Sequence, residues 1–175
     1  MPTVLLHMCC GVCSSGAIQR LLDDGYSVTG FFYNPNIYPE DEYRKRLAAA
    51  GAAGKILNIE TVVGEYDRKK WDERVKGLEG DPEGGGRCIQ CFRMRLEETY
   101  KKAGELGFSY IASTLSISPH KNCEVINQIG RSIAQDVFLP YNFKKQDGFK
   151  KASDFSKLHN LYRQNYCGCV YSIRV

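Results

Sequence analysis

No stretch of this chain approaches the roughly 20 consecutive apolar residues that a membrane-crossing helix requires, so a bilayer-spanning protein is not expected. The first residues carry neither a basic leader nor an apolar run long enough for a secretion signal. A cytoplasmic setting is therefore expected, and with it thiols kept reduced. Internal repeats are lacking, and low complexity is confined to Gly84, Gly85 and Gly86. Charge of one sign is also in short supply: the formal net charge is +4, which permits contact with a polyanion without requiring it.

What is present is enough for one substantial core. With 175 residues, 43% of them hydrophobic, a single domain over 1–175 is expected. Val4, Leu5 and Leu6 read as a strand running into His7-Met8-Cys9-Cys10-Gly11-Val12-Cys13. There Gly11 permits a sharp turn, and Ser14 or Ser15 is placed to cap a helix over 14–22. A second strand over 26–33 ends where the prolines and asparagines of 34–39 forbid regular structure. A helix over 39–53, a third strand over 59–63 and a short helix around Trp71 follow, then a glycine loop over 77–87. Cys88-Ile89-Gln90-Cys91 opens a long helix to about residue 106, with Phe92, Leu96, Tyr100 and Ala103 at helical spacing. A fourth strand over 108–112, a helix marked by Val125, Ile126, Ile129 and Ile133, a fifth strand over 137–139 and a last helix over 149–162 complete the pattern. Such alternation predicts an α/β fold, a Rossmann-like parallel sheet with helices on both faces.

The eight cysteines cluster as Cys-Cys-x-x-Cys, Cys-x-x-Cys and Cys-x-Cys, and Cys123 alone falls among apolar helix residues, where it is expected in the core. Cys9, Cys10 and Cys13 end the first strand and Cys88 and Cys91 begin a helix, positions that border the ligand crevice of an open sheet and that favour thiolates. Brought face to face they can bind a metal or an iron–sulfur cluster; the competing readings are a structural four-thiolate zinc site and buried reduced thiols. Cys167 and Cys169 are spaced too tightly for a relaxed disulfide, which suits a labile redox pair or two thiols with no catalytic part.

Asp67 follows the third strand and is positioned either as a hard oxygen ligand to an incompletely thiolate-bound iron or as a helix cap. Arg44, Arg46, Arg87, Arg93 and Arg95, with Tyr33, Tyr38 and Tyr43 near them, supply the guanidiniums and rings that a splayed nucleotide needs, although a solvated helix face accounts for any single one. His7 reads as an interior imidazole, and His120 and His159 as surface residues. An ATP-using pyrophosphatase of the same broad fold would need a Ser-Gly-Gly-x-Asp-Ser turn after the first strand; Cys10-Gly11-Val12-Cys13-Ser14-Ser15 stands there instead.

Six blocks in order carry a resemblance. They are Leu5-Leu6-His7-x-Cys9-Cys10-Gly11-x-Cys13-Ser14, Tyr33-Asn34-Pro35-Asn36-Ile37-x-Pro39, Glu42-Tyr43-x-x-Arg46, Arg87-Cys88-x-x-Cys91-Phe92-x-x-Arg95-Leu96, Ser113-Thr114-Leu115-x-x-Ser118-Pro119-x-Lys121-Asn122, and the run from Tyr162 to Cys169. Together they resemble the QueH-type epoxyqueuosine reductases across nearly the whole chain. The resemblance implies an adenine-nucleotide-alpha-hydrolase-like fold, a [4Fe-4S] cluster with an additional adjacent iron, and reduction of an epoxide on the modified wobble base of a tRNA to an alkene, with electrons from an external donor. It implies Cys9, Cys10, Cys88 and Cys91 as metal ligands, Cys13 completing the first motif, and a carboxylate on the extra iron, here placed at Asp67. Asp67 and Cys13 are accordingly the expected catalytic residues.

Overall fold

A computed structural model describes residues 1–173. Strand β1 (Thr3–Met8) is the centre of a four-stranded sheet in the order β3-β2-β1-β4, with β2 at Ser27–Phe32, β3 at Glu60–Val63 and β4 at Tyr110–Ser113. Every pairing is parallel. A central parallel strand is covered on both faces and must be apolar throughout, and Val4, Leu5, Leu6 and Met8 are fully buried. Each such side chain contributes about 1.5–3 kcal/mol through its burial.

Alternate β1 residues serve two layers. Val4, Leu6 and Met8 pack with residues of α1 (Gly11–Asp23), α2 (Glu40–Ile56) and α6 (Gly148–Leu158), including Ile18, Leu21, Ala50 and Ala152. Leu5 packs with Trp71 of α3 (Arg68–Arg74), Phe92 and Leu96 of α4 (Gly86–Leu106), and Ile126 and Ile129 of α5 (Cys123–Ala134). The register pairs His7 with Phe31 of β2 and Ser113 of β4, so the carboxyl ends of the strands share one rim.

Three local expectations are corrected. Helix α1 starts at Gly11, not Ser14, and its cap is Cys10, whose Sγ accepts the Cys13 N–H at 3.3 Å. The hydroxyls of Ser14 and Ser15 instead donate backwards to the carbonyls of Cys10 and Val12. Gly11 is required by close approach: a Cβ there would lie 2.7 Å from that of Ala49 on α2. The expected fifth strand shrinks to one parallel bridge, Ile111 to Phe138, with the Leu139 N–H donating to the Ile111 carbonyl at 2.9 Å. Pro140 then offers no N–H to continue the ladder. Cys123 is half-buried at the first residue of α5, where its thiol meets Asn127 Nδ2 at 3.3 Å.

Candidate metal centre

Because β1 ends at Met8 and α1 begins at Gly11, the first cysteine motif is compressed into one strand-to-helix turn. The sulfurs of Cys9, Cys10 and Cys13 all lie within 4.8 Å of one another. Metal–thiolate bonds are about 2.3 Å long, so three sulfurs this close can share one small ion. Cys10 and Cys13 are buried and Cys9 is half-buried.

The three thiols are electrically unequal. Hydrogen bonds from Cys10 and Cys13 hold Cys9 well below the usual thiol range, helped by the charge of Lys121 and by the Thr114 hydroxyl 3.4 Å away. Cys13 is driven the other way by the same neighbouring thiols and by burial. Cys9 is therefore the most acidic thiol of the set.

Two cations stand against these sulfurs. Burial works against the charge on Arg95, but the thiols of Cys91, Cys167 and Cys9 raise its pKa above the ordinary arginine value. Lys121 behaves alike: burial lowers it, while Cys167, Cys9 and Cys13 more than offset that. Cys9 and Cys91, from opposite ends of the sequence pattern, thus act on one guanidinium. Cys88 and Cys91 occupy the first and second turns of α4, and burial raises both thiols. Among the described residues, the group close enough to share an ion is the first triad; Cys88 and Cys91 lie outside that 4.8 Å set.

A cavity of about 300 Å³ opens above the triad, with Cys9, Cys13, Arg95, Lys121 and Cys167 on its wall and His120, Phe149 and Arg163 around it. Cys167 is brought there by a clasp. Arg46, 2% exposed, pairs through Nε with Glu42 at 2.9 Å and donates to the carbonyls of Cys167 at 2.7 Å and Tyr166 at 2.9 Å. Glu42 in turn accepts from the Tyr162 hydroxyl at 2.6 Å, and Tyr38 N–H donates to the Gly168 carbonyl at 2.8 Å. Gly168 holds φ +140, which a side chain would strain, and a Cβ there would meet Arg46 Nη1 at 3.0 Å. All eight cysteines are free thiols, Cys167 and Cys169 among them. Cys167 lines the cavity, while Cys169 is buried in the layer of α3, α4 and α5.

The structure disperses several other residues expected at the site. Asp67 is the N-cap of α3, its Oδ1 accepting the Lys70 N–H at 3.1 Å, and it is not part of the thiol group. Arg46, Arg87 and Arg95 are buried and donate to internal acceptors, while Arg46 and Arg95 also line the cavity. Arg87 donates to the carbonyls of Glu79 at 3.0 Å and Asp81 at 2.5 Å, closing the glycine loop, and Arg95 reaches Asn34 Oδ1 at 3.3 Å. Arg44 is exposed but paired with Glu40 at 2.8 Å, and Arg93 donates to Ser132 Oγ at 3.3 Å. Of the tyrosines near them, Tyr33 and Tyr43 are buried and Tyr38 is exposed beneath Arg68. His7 is buried, bonded to the Tyr33 carbonyl at 2.9 Å and Ser113 Oγ at 3.2 Å, and burial with the nearby Arg95 charge lowers it to about 4. Lys121, Thr114 and Phe149 carry no functional signal by residue type; for Lys121 the Ser118-Pro119-x-Lys121 run after β4 is the available signal.

Comparison with known proteins fits this geometry. The family model described as Epoxyqueuosine reductase QueH matches residues 4–175. The chain is 39% identical over 188 residues to the Epoxyqueuosine reductase QueH of Streptococcus pyogenes serotype M1, covering 99% of this chain and 71% of that protein. It is 42% identical over 175 residues to that of Acinetobacter baylyi (98% and 80% covered) and 36% identical over 179 residues to that of Thermotoga maritima (99% and 91% covered). Among solved structures, a predicted subunit of tRNA methyltransferase from Methanocaldococcus jannaschii superposes with a TM-score of 0.61 at 19% identity, covering 87% of this chain and 76% of that one. The U34-tRNA thiolase NcsA from Methanococcus maripaludis, solved with its [4Fe-4S] cluster, gives a TM-score of 0.55 at 14% identity, covering 99% and 61%. At these identities the structural likeness speaks for the fold alone, a parallel sheet covered by helices on both faces. With a parallel sheet that ends in a metal-competent thiol triad and a full-length sequence match, this chain belongs to the epoxyqueuosine reductase QueH family.

Proposed function

We propose that this chain reduces epoxyqueuosine at the wobble position of tRNA, removing the epoxide oxygen as water and leaving an alkene. The conversion consumes two electrons and two protons, the electrons coming from an external one-electron donor. The observation that carries this reading is the triad of Cys9, Cys10 and Cys13, two of whose members, Cys9 and Cys13, line a cavity that also presents Lys121 and Arg95.

In this reading Cys9, Cys10, Cys88 and Cys91 would hold a [4Fe-4S] cluster accompanied by an additional iron, with Cys13 completing the first motif. When bound, such a centre supplies electrons singly and a Lewis acid for oxygen. The residues fit an anionic metal–thiolate group: Arg95 Nε is buried without a partner, and the same guanidinium responds to Cys9, Cys91 and Cys167. Asp67 is left out of the ligand set, since its carboxylate caps α3. The chain's own contribution is a positively lined pocket. Lys121 presents an ammonium to an oxygen gaining negative charge, Arg95 balances the sulfurs, and Thr114 orients Cys9. Cys167, with Cys169 behind it, is proposed as a thiol relay at the cavity wall.

The test is anaerobic purification with iron and sulfide counting, visible spectroscopy, and mass-spectrometric detection of alkene in the treated tRNA. Brown protein that forms alkene is expected, with colour and turnover both lost in Cys88→Ala. Turnover retained in that variant, or an active colourless zinc protein, would overturn the cluster assignment. Full activity in the Cys167→Ser, Cys169→Ser double variant would reduce that pair to a structural role.

A further inference from the structure

Helices α1 and α6 separate the thiol cavity from a second one. On the first side stand Cys13 of α1 and Phe149 of α6. On the second, a cavity of about 200 Å³ is walled by Gln19 and Arg20 of α1 and by Lys145, Gly148, Lys151 and Phe155. Ser15 and Gly16 of α1, which also line the second cavity, follow Cys13 by two and three residues.

The charges of this second cavity are unspent. Lys145 and Lys151 are exposed and take part in no ion pair among the described residues. Arg20 pairs with Asp24 at 3.0 Å, while Asp23, the one carboxylate on the wall, accepts from Gln19 Nε2 at 2.8 Å. Phe155 is half-buried and offers an aromatic edge beside the cations. Free ammonium groups next to a ring are what a nucleotide takes, its phosphate on the cations and its base on the aromatic surface. These lysines would add to the cations of the thiol cavity, Arg95, Lys121 and Arg163.

We propose that this cavity is a subsite for a nucleotide flanking the reactive one, its phosphate held by Lys145 and Lys151 and its base set against Phe155. The inference rests on the reductase reading for the identity of the RNA, but its test is a binding measurement that stands apart from turnover. The probe is a hairpin RNA with the epoxide-bearing nucleotide in its loop, titrated at several salt concentrations against the wild type, Lys145→Gln/Lys151→Gln, Phe155→Ala, and the control Lys101→Gln on the opposite face of the sheet.

The double variant is expected to bind severalfold more weakly, with a slope of log affinity against log salt shallower by about 0.7, the value for the one single-strand phosphate contact that is lost. Its KM for the RNA should rise with kcat unchanged, Phe155→Ala should weaken binding without altering the salt slope, and the control should match wild type. Equal affinity and slope in the double variant and the wild type would overturn the subsite. Inorganic phosphate displacing the RNA at equal concentration would show a free-anion site and would also overturn it. Wild-type binding that depends on both lysines, with no alkene formed, would leave the subsite standing and refute the reductase reading instead.

Discussion

Replacing Arg46 by methionine tests whether the clasp on the tail is a principal support of the cavity. The substitution keeps an unbranched chain but removes every guanidinium contact at once: the ion pair to Glu42 and the two bonds to the carbonyls of Tyr166 and Cys167. Glu42, whose side chain is 8% exposed, is left with the Tyr162 hydroxyl as its remaining hydrogen-bond partner. Breaking a buried pair by removing one partner costs about 3–5 kcal/mol, because the other charge stays desolvated. For a chain of this length each kcal/mol moves the melting point by about 2–4 °C, so a fall of roughly 6–20 °C is expected. Thermal unfolding followed by circular dichroism gives the stability. Alkylation of Cys167, followed by peptide mass spectrometry, should accelerate as the tail loosens. Adding Glu42→Gln removes the stranded charge and should restore part of the lost stability. A single variant melting within about 2 °C of wild type, or a double variant no better than the single one, would refute the assignment.

Three further outcomes are expected. Gly11→Ala forces a methyl into Ala49 and should cost about 1–3 kcal/mol by overpacking, with a matching drop in bound iron as the Cys10 turn shifts; unchanged melting and iron content would show that α2 can yield. Asp67→Ala loses the α3 cap and should cost about 1 kcal/mol while leaving the iron count intact, whereas a fall in iron would return the carboxylate to the metal. The Tyr141 hydroxyl, at 2.6 Å, and then Arg20 hold Asp24 below the ordinary carboxylate range. The stability from this contact is therefore present above about pH 4, the unfolded value, and lost as the pH falls through the lower folded one. Because the pair is exposed it contributes less than about 1 kcal/mol. Tyr141→Phe should flatten the acid limb of the stability profile by that amount, which acid titration of unfolding checks.

The alternation of apolar strand and amphipathic helix, the thiols at the end of β1 and the start of α4, and the family match were all legible in the linear order. Each depends on contacts within a few residues or on a periodicity of two or 3.6. The helix start at Gly11 was not legible, because the competing hydroxyls of Ser14 and Ser15 obey the same local rule as a cap. Only the approach of Ala49 from α2 decides between them.

Residue type and spacing alone fixed that this chain is a parallel α/β protein with sulfur ligands at one rim. Tertiary structure alone decided where the charges go. An arginine reads the same in a sequence whether it faces solvent or a buried carbonyl, and its partners Glu42 and Cys167 lie on either side of it at very different distances along the chain. The burial of Arg46, Arg87 and Arg95, the capping role of Asp67 and the placing of Lys121 against the thiols all follow from long-range packing, which no local pattern encodes.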